Sequence, residues 1–475
     1  MPVTEPLWTL GEMRKATRGE SAAPASLAIS GISIDSRSIK PGEAFIALRG
    51  PNRDGHAFVA AALEQGAALA IVDRSFPASP HEEKLLRVDD TMAALNDLGR
   101  ASRARADKTK IIAVTGSAGK TGTKEALKLA LDPSGTVHVS AKSHNNHWGV
   151  PLSLANMRRD NNFGVFEAGM NRAGELIGLS KLIRPKIAII TTVEPVHLGF
   201  FPSVEAIADA KAEIFQGLES GGIAVLNRDN PHYERLRREA EKRRAKIVAF
   251  GEARDANVRL LDAKIGDEGS EVTADVMGET VTYRIGAAGR HLVQNSLAVL
   301  AAVKLAGADL TAAARALGNW QAEAGRGRRS IVEGPRGRIA IIDESYNANP
   351  ASMRAALAIL GLVPRTEFKR KIAVLGDMLE LGQEGANLHA GLAPAINESG
   401  VDIVFASGPL MGSLYDALPQ SRQGGYAKAP EELAPMLLAG VMAGDVVMVK
   451  GSFGSRMAPL VEALKRHFEG ASATV

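Results

Sequence analysis

The sequence predicts an α/β protein of three domains, and three observations support this. The chain has 475 residues, of which 45% are hydrophobic and 23% charged, which is long for one domain and sufficient for three. Apolar strand patterns alternate with helical patterns, as in mostly parallel sheets covered by helices on both faces. A polar, basic stretch at Arg100–Lys110 marks the first boundary, and we expect domains at residues 1–107, 108–325 and 326–475.

The first domain is predicted from apolar alternation interrupted by turn residues. We expect three strands and one helix, with strands at Ile29–Ile34, Ala44–Leu48 and Ala67–Val72 and the helix at Phe58–Gln65.

The central domain opens with a strand, a glycine-rich turn and a helix, and more strand–helix units follow. The expected strands are Ile111–Val114, one ending at Val165-Phe166, Ile187–Thr191, Gly222–Leu226 and Ile247–Phe250. The expected helices are Lys120–Leu131, Val204–Leu218, Tyr233–Arg244 and His291–Leu305. Residues 258–285 alternate between turns, which predicts a small antiparallel insertion.

The third domain repeats the alternation of strands and helices. Its expected strands are Ile339–Ile342, Ile372–Leu375, Ile403–Phe405 and Val446–Val449, and its expected helices are Ala351–Leu362, Asn387–Ile396 and Met457–Phe468.

Composition excludes several classes of protein. The chain has no cysteine, which rules out disulfides, thiolate metal sites and a cysteine nucleophile. Aromatic residues make up only 4%, which argues against stacking platforms for single-stranded nucleic acid, and we expect no nucleic-acid partner. The net charge of +4 is weak evidence for any class of partner. No apolar run approaches the roughly 18 residues of a membrane span, and Met1–Leu10 has no signal-peptide core. We therefore expect a cytoplasmic protein without membrane insertion.

The sharpest motif is a glycine-rich loop between the first strand and first helix of the central domain. It reads Gly116-Ser117-Ala118-Gly119-Lys120-Thr121-Gly122. Backbone amides of such a loop surround phosphate oxygens, while the lysine contacts the β and γ phosphates and the threonine binds Mg²⁺. Val114 replaces the first glycine of the longer form of this motif, and a glycine-rich turn with a chance lysine remains the alternative.

Three further central-domain residues are candidates for metal binding. Glu167 follows an apolar strand, at the sheet edge where ligands of open α/β sheets bind. His197 follows the next strand, where a lone histidine is more often structural or exposed than a metal ligand. Lys211 falls on the apolar stripe of its helix, so either its amine extends to water or burial lowers its pKa and makes it a nucleophile for CO₂.

A second cluster is expected where the central and third domains meet. His291 and Asn295 are one helical turn apart and can face one ligand. Asp343 ends a strand and Asn347 follows it, although asparagines in such loops often only form turns. Arg326 and Arg328 either reach a γ-phosphate or belong to a solvated hinge.

Taken in order, these motifs resemble the Mur ligase family over nearly the whole chain. The segments that carry the resemblance are Asp35-Ser36-Arg37, Pro41-Gly42, Asp54-Gly55-His56, the phosphate loop, residues 145–151, Glu167-Ala168-Gly169-Met170-Asn171, His197 and residues 210–214. Residues 343–350, 376–382 and 450–452 resemble the branch that adds D-alanyl-D-alanine. The branch that adds the third amino acid carries Asp-Asn-Pro-Arg in its last domain, whereas Asp229-Asn230-Pro231 here precedes His232 and lies in the second domain.

The resemblance implies the domain types and the roles of individual residues. It implies an N-terminal UDP-substrate domain, a central domain resembling phosphate-loop ATPases and a Rossmann-like C-terminal domain. Metal sites would use Thr121, Glu167, His197 and a carbamylated Lys211. ATP would lie against the phosphate loop, with Asn295 at adenine, Asp343 at ribose, Arg326 at the phosphates and His291 and Asn347 nearby. The UDP-linked substrate would contact Ser36, Arg37, Asp54, Gly55, His56, Asn145 and Asn146, and catalysis would depend on Lys120, Lys211, His197 and Arg326.

The implied reaction is ATP-dependent addition of D-alanyl-D-alanine to UDP-N-acetylmuramoyl-tripeptide through an acyl phosphate, by a monomer that uses Mg²⁺. Two alternatives remain: a folylpolyglutamate synthase of the same superfamily, and a phosphate-loop regulator that only hydrolyses nucleotide.

Overall fold

The computed structural model describes residues 5–50, 52–141, 144–196 and 198–470. Three parallel or mixed sheets follow one another along the chain, each within one of the three predicted domains, and the α/β prediction is confirmed. The domain boundaries themselves stay a prediction. None of the helices formed by the described residues combines the length and apolar character that crossing a bilayer requires.

The first sheet contains four parallel strands, with a short antiparallel pair beside it. The elements are β1 (Trp8–Thr9), α1 (Leu10–Thr17), β2 (Ala28–Ile29), β3 (Ile32–Ser33), β4 (Ala44–Ile46), α2 (Val59–Glu64), β5 (Leu69–Asp73), β6 (Leu85–Val88) and α3 (Thr91–Arg105). The single strand expected at 29–34 is wrong. Ile29 pairs with Trp8 whereas Ile32 pairs with Ala44, so the chain changes sheets between them.

The basic stretch at 100–110 is mostly helix α3 rather than a free linker. Arg103 is 4% exposed and donates hydrogen bonds to Ile183 O and Arg184 O and to Glu219 Oε1 at 2.6 Å. Hydrogen bonds of this kind satisfy a buried guanidinium. These hydrogen bonds therefore attach the end of the first domain to the central domain.

The central sheet has nine strands in the order β15-β14-β13-β12-β11-β10-β7-β9-β8. Its strands are β7 (Lys110–Thr115), β8 (Val137–Val139), β9 (Phe163–Glu167), β10 (Ile187–Ile190), β11 (Ile223–Asn227), β12 (Lys246–Gly251), β13 (Val258–Ile265), β14 (Ser270–Val276) and β15 (Glu279–Ile285). Its helices are α4 (Lys120–Leu131), α5 (Gly149–Ala155), α6 (Glu175–Ile183), α7 (Val204–Ala212), α8 (Tyr233–Lys242), α9 (Arg290–Leu305) and α10 (Leu310–Ala316).

Two features of the central domain differ from expectation. The antiparallel strands expected at 258–285 are present, but β13 also pairs with β12, so that they extend the main sheet. The helix expected at 204–218 stays α-helical only to Ala212 and continues as a 3₁₀ turn, Glu213–Gly217. Apolar side chains fill both faces of the sheet, as mostly parallel sheets require.

The third sheet has six strands in the order β16-β17-β21-β18-β19-β20, parallel except for β16. Its strands are β16 (Arg328–Gly334), β17 (Gly337–Glu344), β18 (Arg370–Gly376), β19 (Ile403–Ser407), β20 (Gln423–Ala427) and β21 (Asp445–Lys450). Its helices are α11 (Pro350–Leu362), α12 (Gly385–Ala390), α13 (Ala393–Glu398), α14 (Met411–Ala417), α15 (Pro430–Gly440) and α16 (Ala458–Glu469).

The single helix expected at 387–396 is wrong, because the chain forms two short helices there. Pro394 lies in the first turn of α13, the position proline tolerates best, whereas inside a continuous helix its ring would displace a hydrogen bond.

The first domain packs against helix α5 of the central domain. Trp8 Nε1 donates to Ala155 O at 2.8 Å, and the Asn156 side chain exchanges two 2.9 Å hydrogen bonds with the backbone of Ile32. Leu152 and Ala155 complete the apolar core of the first domain. Helix α5 therefore couples the first sheet to the loop that precedes it, residues 144–148.

Candidate active site

The phosphate loop lies where the strand order of the central sheet reverses. Strand β7 has β10 on one side and β9 on the other, and ligands of open α/β sheets bind in the crevice at such a point. Ser117 N donates to Thr192 O at 2.8 Å, and Ser117 Oγ accepts from Glu194 N at 2.9 Å. The loop is thereby attached to the segment that follows β10.

Two glycines give the loop its shape. Gly116 has φ +152°, and a Cβ there would collide with the Thr191 side chain. Gly119 begins helix α4 with φ +81°, and a Cβ there would lie 2.5 Å from Asn295 Nδ2. Both positions therefore favour glycine, and Asn295 packs directly against the phosphate loop.

Glu167 is held by hydrogen bonds from two different elements. The residue is 1% exposed; Thr121 Oγ1 donates to its Oε2 at 2.9 Å and Asn145 Nδ2 to its Oε1 at 2.7 Å. A hydroxyl beside a carboxylate is a set of hard oxygen donors, which suits Mg²⁺. Lys120 Nζ lies close by and donates to Gly116 O at 2.7 Å.

Lys211 is buried, which excludes the interpretation that its amine extends to water. Its residue is only 2% exposed, so the amine does not extend to water. Burial, and next the positive charge of Lys120, hold the pKa of the Lys211 amine well below its usual value. Burial also lowers the pKa of Lys120, with the Glu167 charge opposing and the Arg326 charge adding to the effect. A neutral amine at this position is a nucleophile.

Arg326 and Asp343 meet at the connection to the third domain. The Arg326 guanidinium lies 4.1 Å from the centre of the Tyr346 ring. Asp343 Oδ2 accepts from Gly325 N at 2.8 Å, and Asp343 Oδ1 accepts from Ser345 Oγ at 2.6 Å. The aspartate thus orders the connecting segment, and Arg328 begins an edge strand rather than lying in a free hinge.

A cavity of about 430 Å³ lies between the central and third domains, and His291, Arg326 and Glu344 line it. Burial lowers the pKa of His291, with the Glu344 charge opposing and the Lys450 charge adding to the effect. Lys450 Nζ pairs with Glu344 Oε2 at 3.1 Å and donates to Asn347 O at 2.9 Å. Helix α9 therefore connects the cavity, at His291, with the phosphate loop, at Asn295.

The candidates in the first domain form two groups, each held by local hydrogen bonds. Arg37 is exposed and forms a two-bond ion pair with Asp35, and Ser36 lies between them. His56 Nδ1 lies 2.6 Å from Asp54 Oδ1, while His56 Nε2 accepts from Asp73 N at 3.0 Å. A Cβ on Gly55 would lie 2.7 Å from Leu48 N, so this turn is tightly packed.

The structure brings together Lys120, Thr121, Glu167, Asn145, Lys211, Asn295 and Arg326 as predicted neighbours of one site. The Asn146 side chain instead accepts from the N–H of Gly149, the first residue of α5, and Asn347 is exposed. His197 lies outside the described residues. Among those residues, no group of three or more histidine, aspartate or glutamate side chains is arranged to hold a metal.

Sequence reasoning missed Glu344 and Lys450 beside the cavity, and the buried Lys124 described below. The segment 450–452 had been recognised only as part of a family pattern. A glutamate and a lysine 106 positions apart carry no local signal that they pair.

Comparison with known proteins identifies relatives of the whole chain. Three Mur ligase models match: "Mur ligase family, catalytic domain" at residues 28–103, "Mur ligase middle domain" at 114–303 and "Mur ligase, glutamate ligase domain" at 327–453. The UDP-N-acetylmuramoyl-tripeptide--D-alanyl-D-alanine ligase of Rickettsia prowazekii is 33% identical over 91% of this chain and 94% of its own length.

Two solved structures are similar to nearly the whole chain. MurF from Acinetobacter baumannii superimposes with a TM-score of 0.83 at 29% identity, covering 97% of this chain and 99% of that one. MurF ligase from Thermotoga maritima, in complex with ADP, has a TM-score of 0.75 at 26% identity, covering 93% and 98%.

Proposed function

This chain belongs to the Mur ligase family, and we propose that it is an ATP-dependent, ADP-forming ligase that joins D-alanyl-D-alanine to UDP-N-acetylmuramoyl-tripeptide. One observation carries the proposal: relatives named for this activity match over more than nine-tenths of both chains. The product is UDP-N-acetylmuramoyl-pentapeptide, a precursor of peptidoglycan.

The reaction has two steps. The terminal carboxylate of the tripeptide attacks the γ-phosphorus of ATP, so a P–O bond forms, the bond to the β-phosphate oxygen breaks and ADP leaves. The amine of D-alanyl-D-alanine then attacks the acyl carbon, expels inorganic phosphate and loses a proton. Two anions must meet in the first step, so positioning and charge neutralisation provide most of the catalysis.

The phosphates of ATP lie on the loop Gly116–Gly122, with Lys120 and Arg326 as their cationic partners. Burial, and after it the nearby Arg326 charge, lower the pKa of Lys120 against the opposing Glu167 charge, so the two cations lie near one another, which supports this assignment. The base and ribose would occupy the cavity beside His291, with Asn295, Asp343 and Asn347 along the path. His291 in the cavity lining and Asn295 beside the phosphate loop lie on the same helix, α9, which supports this orientation of the nucleotide.

Thr121 and Glu167 would hold Mg²⁺, and their 2.9 Å contact supports a shared oxygen site. Mg²⁺ would neutralise charge on the phosphates when bound. Lys211, as the neutral amine, would add to CO₂ and release a proton, giving a carbamate that serves with His197 at a second metal site. The burial and lowered pKa of Lys211 support the carbamate.

The UDP-linked substrate would contact Ser36, Arg37, Asp54, Gly55 and His56 in the first domain and Asn145 and Asn146 in the central domain. Helix α5 connects these two groups, since the first domain packs on it and its first residue, Gly149, donates through its N–H to the Asn146 side chain. We also propose domain boundaries at residues 107 and 325, a monomer, and a cytoplasmic location.

The test is phosphate release from ATP and Mg²⁺, with the UDP-linked tripeptide and D-alanyl-D-alanine added singly and together. Release that requires both, with the mass of the UDP-linked pentapeptide, is expected. Activity with a folate acceptor instead would favour a folylpolyglutamate synthase. Release that is indifferent to either acceptor would favour a nucleotide-hydrolysing regulator.

A further inference from the structure

Lys124 is a fully buried lysine that the proposed reaction does not use. It lies in helix α4, one turn beyond Lys120, and is 0% exposed. Its Nζ donates to Ser140 O at 2.8 Å and pairs with Glu125 Oε1 at 2.7 Å. A buried ammonium is rarely retained without such partners.

The partner carbonyl belongs to the first residue after strand β8. Ser140 is also 0% exposed, and its N–H donates to Val165 O on the neighbouring strand at 3.2 Å. The chain then continues to His144 and Asn145 at the edge of the sheet. Lys124 therefore holds the start of the segment that leads into the active site.

That segment ends on the carboxylate proposed to bind Mg²⁺. Asn145 Nδ2 donates to Glu167 Oε1 at 2.7 Å, and Asn145 O accepts from Gly169 N at 2.8 Å. The other Glu167 oxygen accepts from Thr121, three residues before Lys124 on α4. The same helix thus contacts the segment directly through Lys124 and indirectly through Thr121 and Glu167.

The Lys124 ammonium lies on a helix face whose following buried residues are apolar, which argues for a role beyond packing. Further along α4, the buried residues Ala126, Leu127, Ala130 and Leu131 join the apolar core. An apolar side chain of similar volume often replaces a buried ion pair at no cost in stability. A lysine at this place is explained if its hydrogen bond orders the segment that positions Glu167.

We infer that Lys124 is a positioning residue of the ligase: it fixes Ser140, five residues before Asn145, so that Asn145 orients the Glu167 carboxylate for the metal. The role resembles that of the outer hydrogen bonds that orient metal ligands in other enzymes. The inference rests on the proposed function for its effect on activity, but its effect on the segment does not.

The test compares Lys124→Met with Lys128→Met, a matched control on the exposed side of the same helix. In hydrogen exchange, peptides covering residues 144–152 and 163–170 should exchange faster in Lys124→Met and at the wild-type rate in Lys128→Met. In ligation assays at saturating ATP, half-saturation by Mg²⁺ should rise about tenfold in Lys124→Met, as for other residues that orient metal ligands. Lys124→Arg, which keeps the charge and donors, should recover part of both effects.

A double-mutant cycle with Asn145→Ala tests the route. If Lys124 acts through Asn145, the two substitutions have less than additive effects on Mg²⁺ half-saturation. Additive effects, or a folded Lys124→Met protein with wild-type exchange and Mg²⁺ dependence, would overturn the inference. If Lys124→Met does not fold, the measurements are made on Lys124→Gln and Lys124→Arg, and failure of all three to fold shows that the fold itself needs the lysine and also overturns it. A wild-type protein without ligase activity would refute the proposed function, while the exchange experiment would still decide on Lys124.

Discussion

Substitution of Gly119 by alanine should destabilise the central domain and weaken nucleotide binding. Two effects contribute, backbone strain at residue 119 and a close contact with Asn295. Gly119 has φ +81°, a backbone conformation that costs an L-residue about 1–2 kcal/mol. The added Cβ would lie 2.5 Å from Asn295 Nδ2 and 3.3 Å from Asn295 Cγ. Asn295 is 6% exposed and lies in the middle of a packed helix, so it has little room to move.

The expected loss of stability is the sum of the backbone strain at residue 119 and the cost of displacing Asn295. Displacing the amide by about 1 Å forces an unfavourable rotamer at about 0.5–1.5 kcal/mol. Together with the backbone strain, Gly119→Ala should destabilise the central domain by about 2–3 kcal/mol. For a domain of this size, that corresponds to a fall in melting temperature of about 4–12 °C. ADP should bind about tenfold or more weakly, because the loop amides that we propose as phosphate ligands shift with Gly119.

The assays are thermal melting without nucleotide and calorimetric titration with ADP and Mg²⁺. Gly178→Ala is the matched control, since Gly178 lies in helix α6 with open space where its Cβ would be, and alanine there should raise stability slightly. The double variant Gly119→Ala/Asn295→Ala should recover the part of the loss that comes from the contact.

Two results would refute this reasoning. A Gly119→Ala protein that melts and binds ADP like the wild type would show that the loop adapts freely. Strict additivity of Gly119→Ala and Asn295→Ala would show that the side chain of Asn295 is not what the Cβ meets.

Three further predictions concern titration and catalysis. Burial, only partly opposed by the hydrogen bond with Ser153, holds the pKa of His138 at about 4, so between pH 6.5 and 4 the unfolded chain binds a proton that the folded protein does not. The free energy of unfolding should fall by about 3 kcal/mol from this group as pH drops from 7 to 4; urea titrations should show a smaller fall in His138→Gln, and identical pH profiles would contradict the prediction. Lys211→Met should fold but lose ligation, and ¹³C NMR with labelled bicarbonate should detect a carbamate in the wild type only; an active Lys211→Met protein would exclude the carbamate as a requirement. Glu167→Gln should lower kcat at saturating ATP by about 100-fold or more, the usual loss when a group that stabilises developing charge is removed, while ADP binding measured without Mg²⁺ stays unchanged; unaltered turnover would exclude Glu167 as a metal ligand.

Local patterns in the sequence were sufficient for most secondary structure. Helix α4 was predicted at Lys120–Leu131 and has those bounds, because a glycine turn and an apolar period of 3.6 residues mark its start and its buried face. The alternation of apolar and polar residues did not predict strands correctly where pairing with other strands decides their bounds. Residues 29–34 divide between two sheets, and β16 was missed because its residues alternate only weakly.

The phosphate loop, the buried face that contains Lys211, and the family resemblance were determined by the sequence alone. They rest on short segments whose spacing has a direct physical meaning, such as a glycine turn before a helix. Which side chains meet was decided only by the tertiary structure: Asn145 with Glu167, Asn295 with Gly119, and Lys124 with Ser140. These partners are separated by 22, 176 and 16 positions, and strand order rather than local periodicity brings them together. Lys124 has no local signal that distinguishes it from an exposed charged residue of a helix, and only its tertiary contact with Ser140 shows that it is buried.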